Sequence, residues 1–472
     1  MTGVSSRAAF VLVLGCGGLA ADGVPRFEPG GASGAGGQTG SAGSSAIGDG
    51  VPARPPRDIP GNVGRGGTAA IPPVSAPDEP SVEGSNCPMQ LLAQVEVESQ
   101  RELDALSGCT SIEADLSIYP FEGVDLTPLT ALTRVGGMLT LGDPYTDPPP
   151  LGFQSLRGLE SLRSVGGLSL RGVLAPSLEV LDGLRELTNS NGIAPTSGFV
   201  FIDQCPALEN LEGLDNLRGL LGFVAKGNPR LTSLRGLQVP SAMNQVEVWD
   251  SPVVDIEALA PLTTVQYTLW FMDTGLIDTS ALANVSSVDQ LQFYRNAALR
   301  DLGGLSGLTS VGSLNVIENA SLPAVRSLSR LTTANSISVS SNSALTEIGP
   351  FPALELLHDA TITDNGALKR VAALAEIESM YQIDVSRNAL LDELDLGRLV
   401  SVEYSLRVTH NPLLDSAGVP RPTPGAIIIG GNLGEAVGLD PCPWTGNTFC
   451  EAAPFDNLCA PGTDSDCPRG AF

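Results

Sequence analysis

Positive charge is scarce in this chain. Of 472 residues, 26 are Lys or Arg against 52 Asp or Glu, a formal net charge of −26, and the lysines are only Lys226 and Lys369. Phosphate contacts need clustered cations, so nucleic acid is not an expected partner. Adsorption to anionic headgroups is opposed by the same imbalance. Histidine is equally rare: His358 and His410 are the two in the sequence. A Ser-His-Asp or Cys-His arrangement has to use one of them, and neither stands near a Gly-rich nucleophile turn. No P-loop occurs, nor a dinucleotide-type glycine motif between a strand and a helix. Carboxylates are plentiful but scattered, with no pair placed on one face for glycoside hydrolysis. No run of eighteen apolar residues occurs either, so no segment reads as a membrane-spanning helix. The expectation is a protein without cofactor, metal or catalytic residues.

What the sequence does contain is a period. Between about residues 200 and 432 a short polar residue returns at Cys205, Asn228, Ser251, Thr274, Asn296, Asn319, Asn342, Asn365, Asn388, Asn411 and Asn432, in steps of 23 apart from one of 22 and a last one of 21. A repeat of that length marks a stacked solenoid. Apolar residues stand five and three positions before the slot, as in Leu314 and Val316 before Asn319, or Ile383 and Val385 before Asn388. That alternation describes a short strand with one buried face. Apolar residues then recur about every third position, as in Leu302, Leu305, Leu308 and Val311, which fits tight turns better than a full amphipathic helix. The asparagines form a structural ladder, because a coil that turns inward buries backbone groups that a short amide can satisfy. Ser251, Thr274 and Cys205 are weaker occupants of the same slot.

The fold class that follows is mainly β: a right-handed parallel β-solenoid of about fourteen turns, with short helical or 3-10 turns and disulfide caps. At about 4.8 Å per strand the body would be on the order of 65 Å long. Four regions are expected, at 1–16, 17–86, 87–441 and 442–472. The first, MTGVSSRAAFVLVLGC, has one Arg, an apolar run from Ala8 to Leu14, and the tetrad Val13-Leu14-Gly15-Cys16. It resembles a bacterial lipoprotein signal, which implies lipidation at Cys16 and attachment to the cell envelope, at the outer membrane or cell surface. The second is rich in Gly, Ser and Pro and reads as a disordered tether spanning roughly 45 Å on average. The fourth is a tail carrying Cys442, Cys450, Cys459 and Cys467. Their steps of eight or nine residues lack the close pairing of zinc knuckles, so two disulfides are expected there, in any of three connectivities.

The beginning of the third region supplies a family resemblance. An early Cys87 is followed by the Leu-x-x-Leu-x-x-Cys-x-x-Ile segment ending at Ile112, and then by the Val-Gly-Gly-x-Leu-x-Leu phrase at 135–141, repeated one residue shorter at 165–170. These elements resemble the amino-terminal cap of the receptor L domain family, and a looser, leucine-rich-repeat-type likeness continues to residue 441. The cap is expected as strand, short helix, strand over 95–118. The cysteine count then closes with Cys16 for lipid, Cys87 with Cys109 in the cap, four in the tail, and Cys205 as a buried, inert thiol.

Function is sought on the strand face that points away from the core. Outward residues lie four and two positions before each slot, and in the first half they are aromatic and apolar. Trp249, Met272, Tyr294 and Ile317 are expected in one continuous row, with Trp270 beside it in the second; the competing register between residues 245 and 275 puts Asp250 and Asp273 in the ladder slot and buries Trp270. Contiguous exposed aromatics mark contact with a partner, by protein hot spots or by stacking on sugar rings. The reading is a non-enzymatic surface binding or adhesion protein that docks a surface protein or glycan, touching the membrane through its lipid alone. The alternative is a β-helix polysaccharide-active enzyme, for which the sequence offers only isolated outward groups such as Asp384 and Arg407.

Overall fold

The computed structural model describes residues 94–143, 152–187, 198–415, 419 and 426–432, all within the unit Pro80–Phe472. Cys16, the Gly/Ser/Pro-rich region, Cys87 and the cysteines Cys442, Cys450, Cys459 and Cys467 lie outside the described residues. So do 144–151 and 188–197, which hold most of two insertions into the early turns.

The first described elements are the strand Gln94–Val97, the helix Gln100–Asp104 and the strand Asp115–Ile118, which pairs in parallel with the first. Ser99 starts the helix: its hydroxyl accepts the N–H of Glu102 at 3.4 Å, and the Glu102 carboxylate accepts the N–H of Glu98 at 2.8 Å. This reciprocal arrangement satisfies donors that a helix start leaves open. Leu103, Leu106 and Cys109 are buried beneath it.

From Asp115 onward the chain coils as a parallel β-solenoid of about 13 turns, its strands stacked in chain order to Ala426–Gly430. Apolar residues pair with their equivalents one turn away: Leu291 with Leu314, Leu314 with Ile337, Ile337 with Ala360, Ala360 with Ile383. The alternation therefore becomes vertical apolar columns, all buried. The Val-Gly-Gly phrase has a steric cause. A Cβ on Gly136 would stand 2.7 Å from the carbonyl oxygen of Glu113, and one on Gly137 would stand 2.0 Å from Asp115 Oδ1. That same Asp115 oxygen accepts the N–H of Met138 at 2.7 Å.

The polar slot is a hydrogen-bonded ladder. The side-chain oxygen of each asparagine accepts the backbone N–H of the slot residue one turn earlier: Cys205 to Asn228 at 2.9 Å, Asn296 to Asn319 at 3.0 Å, Asn342 to Asn365 at 3.0 Å, and so on to Asn411 and Asn432 at 2.9 Å. The amide donates in turn to a strand carbonyl of the earlier turn, as Asn319 does to Phe293 at 2.9 Å and Asn388 to Ile362 at 2.9 Å. Among the described residues the ladder has one gap. No side-chain hydrogen bond joins Ser251 to Thr274; instead the strands Ala242–Ser251 and Thr264–Thr274 run on through the slot and pair there.

The residue before the slot has a left-handed backbone in every one of these turns: Gln204, Asp250, Asp273, Arg295, Glu318, Ser341, Asp364, Arg387 and His410 at φ between 45° and 60°, with Gly227 and Gly431 alike. An L-residue resists that conformation by roughly 1 kcal/mol. The ladder holds the corner in place against it. The second wall changes along the chain. Where Asp stands two residues ahead, the wall is a 3-10 turn, as in Glu257–Leu259, Ser280–Leu282 and Gly303–Gly307, because the carboxylates of Asp255, Asp278 and Asp301 accept the N–H groups of Glu257, Ser280 and Gly303 at 2.8–3.0 Å. Beyond these, β-branched Val325, Ile348 and Val371 sit in a small four-stranded parallel sheet. Ion pairs then join neighbouring turns on the surface, among them Arg230 with Glu209, Arg235 with Glu212 and Arg387 with Asp364.

Candidate functional site

Strand pairing sets the geometry of the outward face. Lys226 pairs with Trp249, Trp249 with Met272, Met272 with Tyr294 and Tyr294 with Ile317, which makes one row across five turns. Trp270 lies in the neighbouring row between Glu247 and Gln292. Intervening residues point inward: Val248, Phe271, Phe293 and Val316 are fully buried, and the rings of Phe271 and Phe293 stack at 5.8 Å. Trp249, Trp270, Met272, Tyr294 and Ile317 are all half-buried. Sequence alternation and structure thus agree on which way these side chains point.

The two indoles stack on one another, with centroids 6.0 Å apart and planes inclined by 25°. The ammonium of Lys226 stands over the Trp249 ring at 5.8 Å, and the Arg295 guanidinium over Tyr294 at 4.7 Å. Both indole N–H groups are buried without a hydrogen-bond partner. Glu247, two residues before Trp249 and paired with Trp270, is only 6% exposed although it points outward. Its Oε1 accepts from Gln245 Nε2 and Thr268 Oγ1, each at 2.8 Å. Burial raises the carboxyl above the usual carboxylate range, and those two hydrogen bonds oppose the rise. At the start of the same strands, Asn244, Gln266, Asp289 and Gly312 line a shallow depression of about 680 Å³.

The polar residues named from sequence fall into place differently. Asp384 and Arg407, expected as isolated groups, occupy paired outward positions on adjacent strands, with Arg407 Nε 3.9 Å from Asp384 Oδ2. Among the described residues no group of three or more His, Cys, Asp or Glu is placed to hold a metal. His410 takes the left-handed corner position and its backbone N–H donates to Gly430 at 2.8 Å. Cys205 is a buried free thiol whose pKa burial pushes up to about 12.

One feature lay outside the rows considered from sequence. His358, Tyr381 and Tyr404 stand seven residues before their asparagines, and the structure stacks them face to face at 4.8 and 5.3 Å. A search for aromatic residues at the repeat spacing of 23 finds the three directly.

No family model matches the chain, and no curated protein matches it. Among solved structures it is similar to an internalin from Listeria monocytogenes, at 17% identity over 65% of this chain and 89% of that one, with a TM-score of 0.33. It is also similar to the leucine-rich repeat domain of APL1, at 13% identity over 68% and 86% with a TM-score of 0.30. A chain of the Toll–Spatzle complex from Drosophila matches at 13% identity over 72% and 48%, with a TM-score of 0.29.

Proposed function

We propose that this chain is a non-enzymatic binding protein of the bacterial cell envelope, anchored through lipid on Cys16 and presenting its outward sheet face to a surface protein or glycan. The observation that carries the reading is the row of Trp249, Met272, Tyr294 and Ile317, flanked by Trp270, on a sheet whose backbone is held by the asparagine ladder. Rigid aromatic anchors lose little conformational freedom on binding and dominate hot spots.

The test is a glycan array together with a panel of surface proteins, probed with the whole chain and with a Trp249→Ala/Trp270→Ala variant. Truncating a central hot-spot aromatic removes at least about 2 kcal/mol, so the variant should bind tens of fold more weakly while melting nearly as the parent does. A ligand held equally well by both proteins would place recognition elsewhere. For the anchor, metabolic labelling with a fatty acid should mark the parent and leave Cys16→Ser unlabelled and released from membranes.

A further inference from the structure

We infer that the chain carries a second recognition surface, at the start of three C-terminal strands, which takes a basic, aliphatic-rich polypeptide segment. Its centre is the stack of His358, Tyr381 and Tyr404 on the strands Leu356–Thr363, Ser379–Ser386 and Ser401–Thr409. Tyr404 is 58% exposed and Tyr381 38%, and two aliphatic residues near the same strand starts are more exposed still, Leu356 at 60% and Val400 at 71%. These are among the largest apolar exposures of the described residues, and they fall together in three neighbouring turns. A soluble surface rarely leaves such a patch without a use.

The chemistry of the occupant follows from what the patch offers. The rings lie nearly parallel, at 11° and 10°, so their faces cover one another and their edges and hydroxyls point out. A sugar that stacks on a ring face finds none open within the stack. An aliphatic stem packs against ring edges, Leu356 and Val400 without that requirement. Charge then selects the sign. Residues 355–359, 378–382 and 400–405 hold no Lys or Arg and include the carboxylates Glu355, Asp359, Glu378 and Glu403. Glu355, Glu378 and Glu403 are exposed at the strand starts. Exposed carboxylates beside exposed apolar groups match side chains that join a long apolar stem to N–H donors, which are Lys and Arg. This surface is independent of the Trp249 and Trp270 face, which lies in other turns.

A random dodecapeptide phage library panned on the whole chain tests the proposal. The expected result is enrichment of peptides with net positive charge and Leu, Ile or Val, which bind Tyr381→Ala/Tyr404→Ala at least ten-fold more weakly and bind Trp249→Ala/Trp270→Ala as they bind the parent. Binding should also weaken between 50 and 500 mM salt. If the tyrosine variant melts early, Val400→Lys replaces it, with the same loss expected. Three outcomes overturn the proposal: no enrichment, enrichment of peptides that are not basic, or basic peptides held equally by parent and surface variants, which would show attraction to the overall charge of −26 alone.

Discussion

Asn342 Oδ1 accepts the backbone N–H of Asn319 at 2.9 Å, while the Asn342 amide donates to the carbonyl of Val316 at 2.8 Å. One side chain thus satisfies two backbone groups of the turn before it, and both are sealed from water. Asn342→Leu should remove both bonds at once. Each buried group left unmade costs about 1–3 kcal/mol, so the loss should be several kcal/mol in urea unfolding. A midpoint unchanged from the parent would mean that water reaches the slot.

The left-handed corner predicts a gain. Ser341, at φ 59°, is exposed and stands one residue before the ladder. Ser341→Gly relieves the backbone strain, and the added freedom of the unfolded glycine takes back part of the benefit. A net rise of about 0.5–1 kcal/mol is expected. Gly227→Ala, at φ 64°, should lower stability by a comparable amount. Paired thermal melts of the two variants check the signs.

Glu247 makes stability fall with rising pH. Burial raises its folded pKa above the unfolded value, so the folded state holds the proton more tightly. Its favourable contribution is complete below the unfolded pKa and declines as pH climbs from there through the folded value. Glu247→Gln removes that decline. The variant should therefore gain on the parent in melting temperature at pH 8 and lose the advantage near pH 4; a constant difference across that range would contradict the assignment.

Cys205 should ignore thiol reagents in the folded state, since burial pushes its pKa up to about 12 and the thiolate is the reactive form. With disulfides intact, one thiol should appear when urea is added. Peptide mapping should then find Cys87 joined to Cys109 and two bonds within the tail. A bridge to Cys205 would be incompatible with its place in the ladder.

Much of this was legible in the sequence. The spacing of Asn296 to Asn411 identifies the turn length, and the alternation around Phe271 and Phe293 tells Trp270 and Met272 which way to point. Both signals survive because every turn repeats the same local problem. What was hidden depends on exceptions. The strand Thr264–Thr274 carries an irregularity between Val265 and Thr268, and pairing is likewise shifted after Met380. Such bulges belong to one turn only, so no period reports them. The left-handed ridge escaped because its residues share a backbone angle and no side-chain type: Gln204, Asp250, Arg295 and His410 have little else in common. The His358 stack was missed because it sits where the strands begin, outside the four-and-two pattern of outward positions.

The gap in the ladder between Ser251 and Thr274 also gives the molecule a place to break under load. On either side of it, each turn is tied to the next by a side-chain crossbar, from Cys205 to Ser251, where the Ser251 hydroxyl accepts the Asn228 N–H, and from Thr274 to Asn432. Across the gap the slot residues themselves are joined by strand pairing alone, beside the stacked pair Trp249 and Trp270, while Thr268 Oγ1 donates to Glu247 Oε1 further along the same strands. Stretched from its ends in a single-molecule experiment, the solenoid should part there first, into two blocks of unequal length. Thr274→Asn, which offers its side-chain oxygen to the Ser251 N–H, should raise the force of that first event.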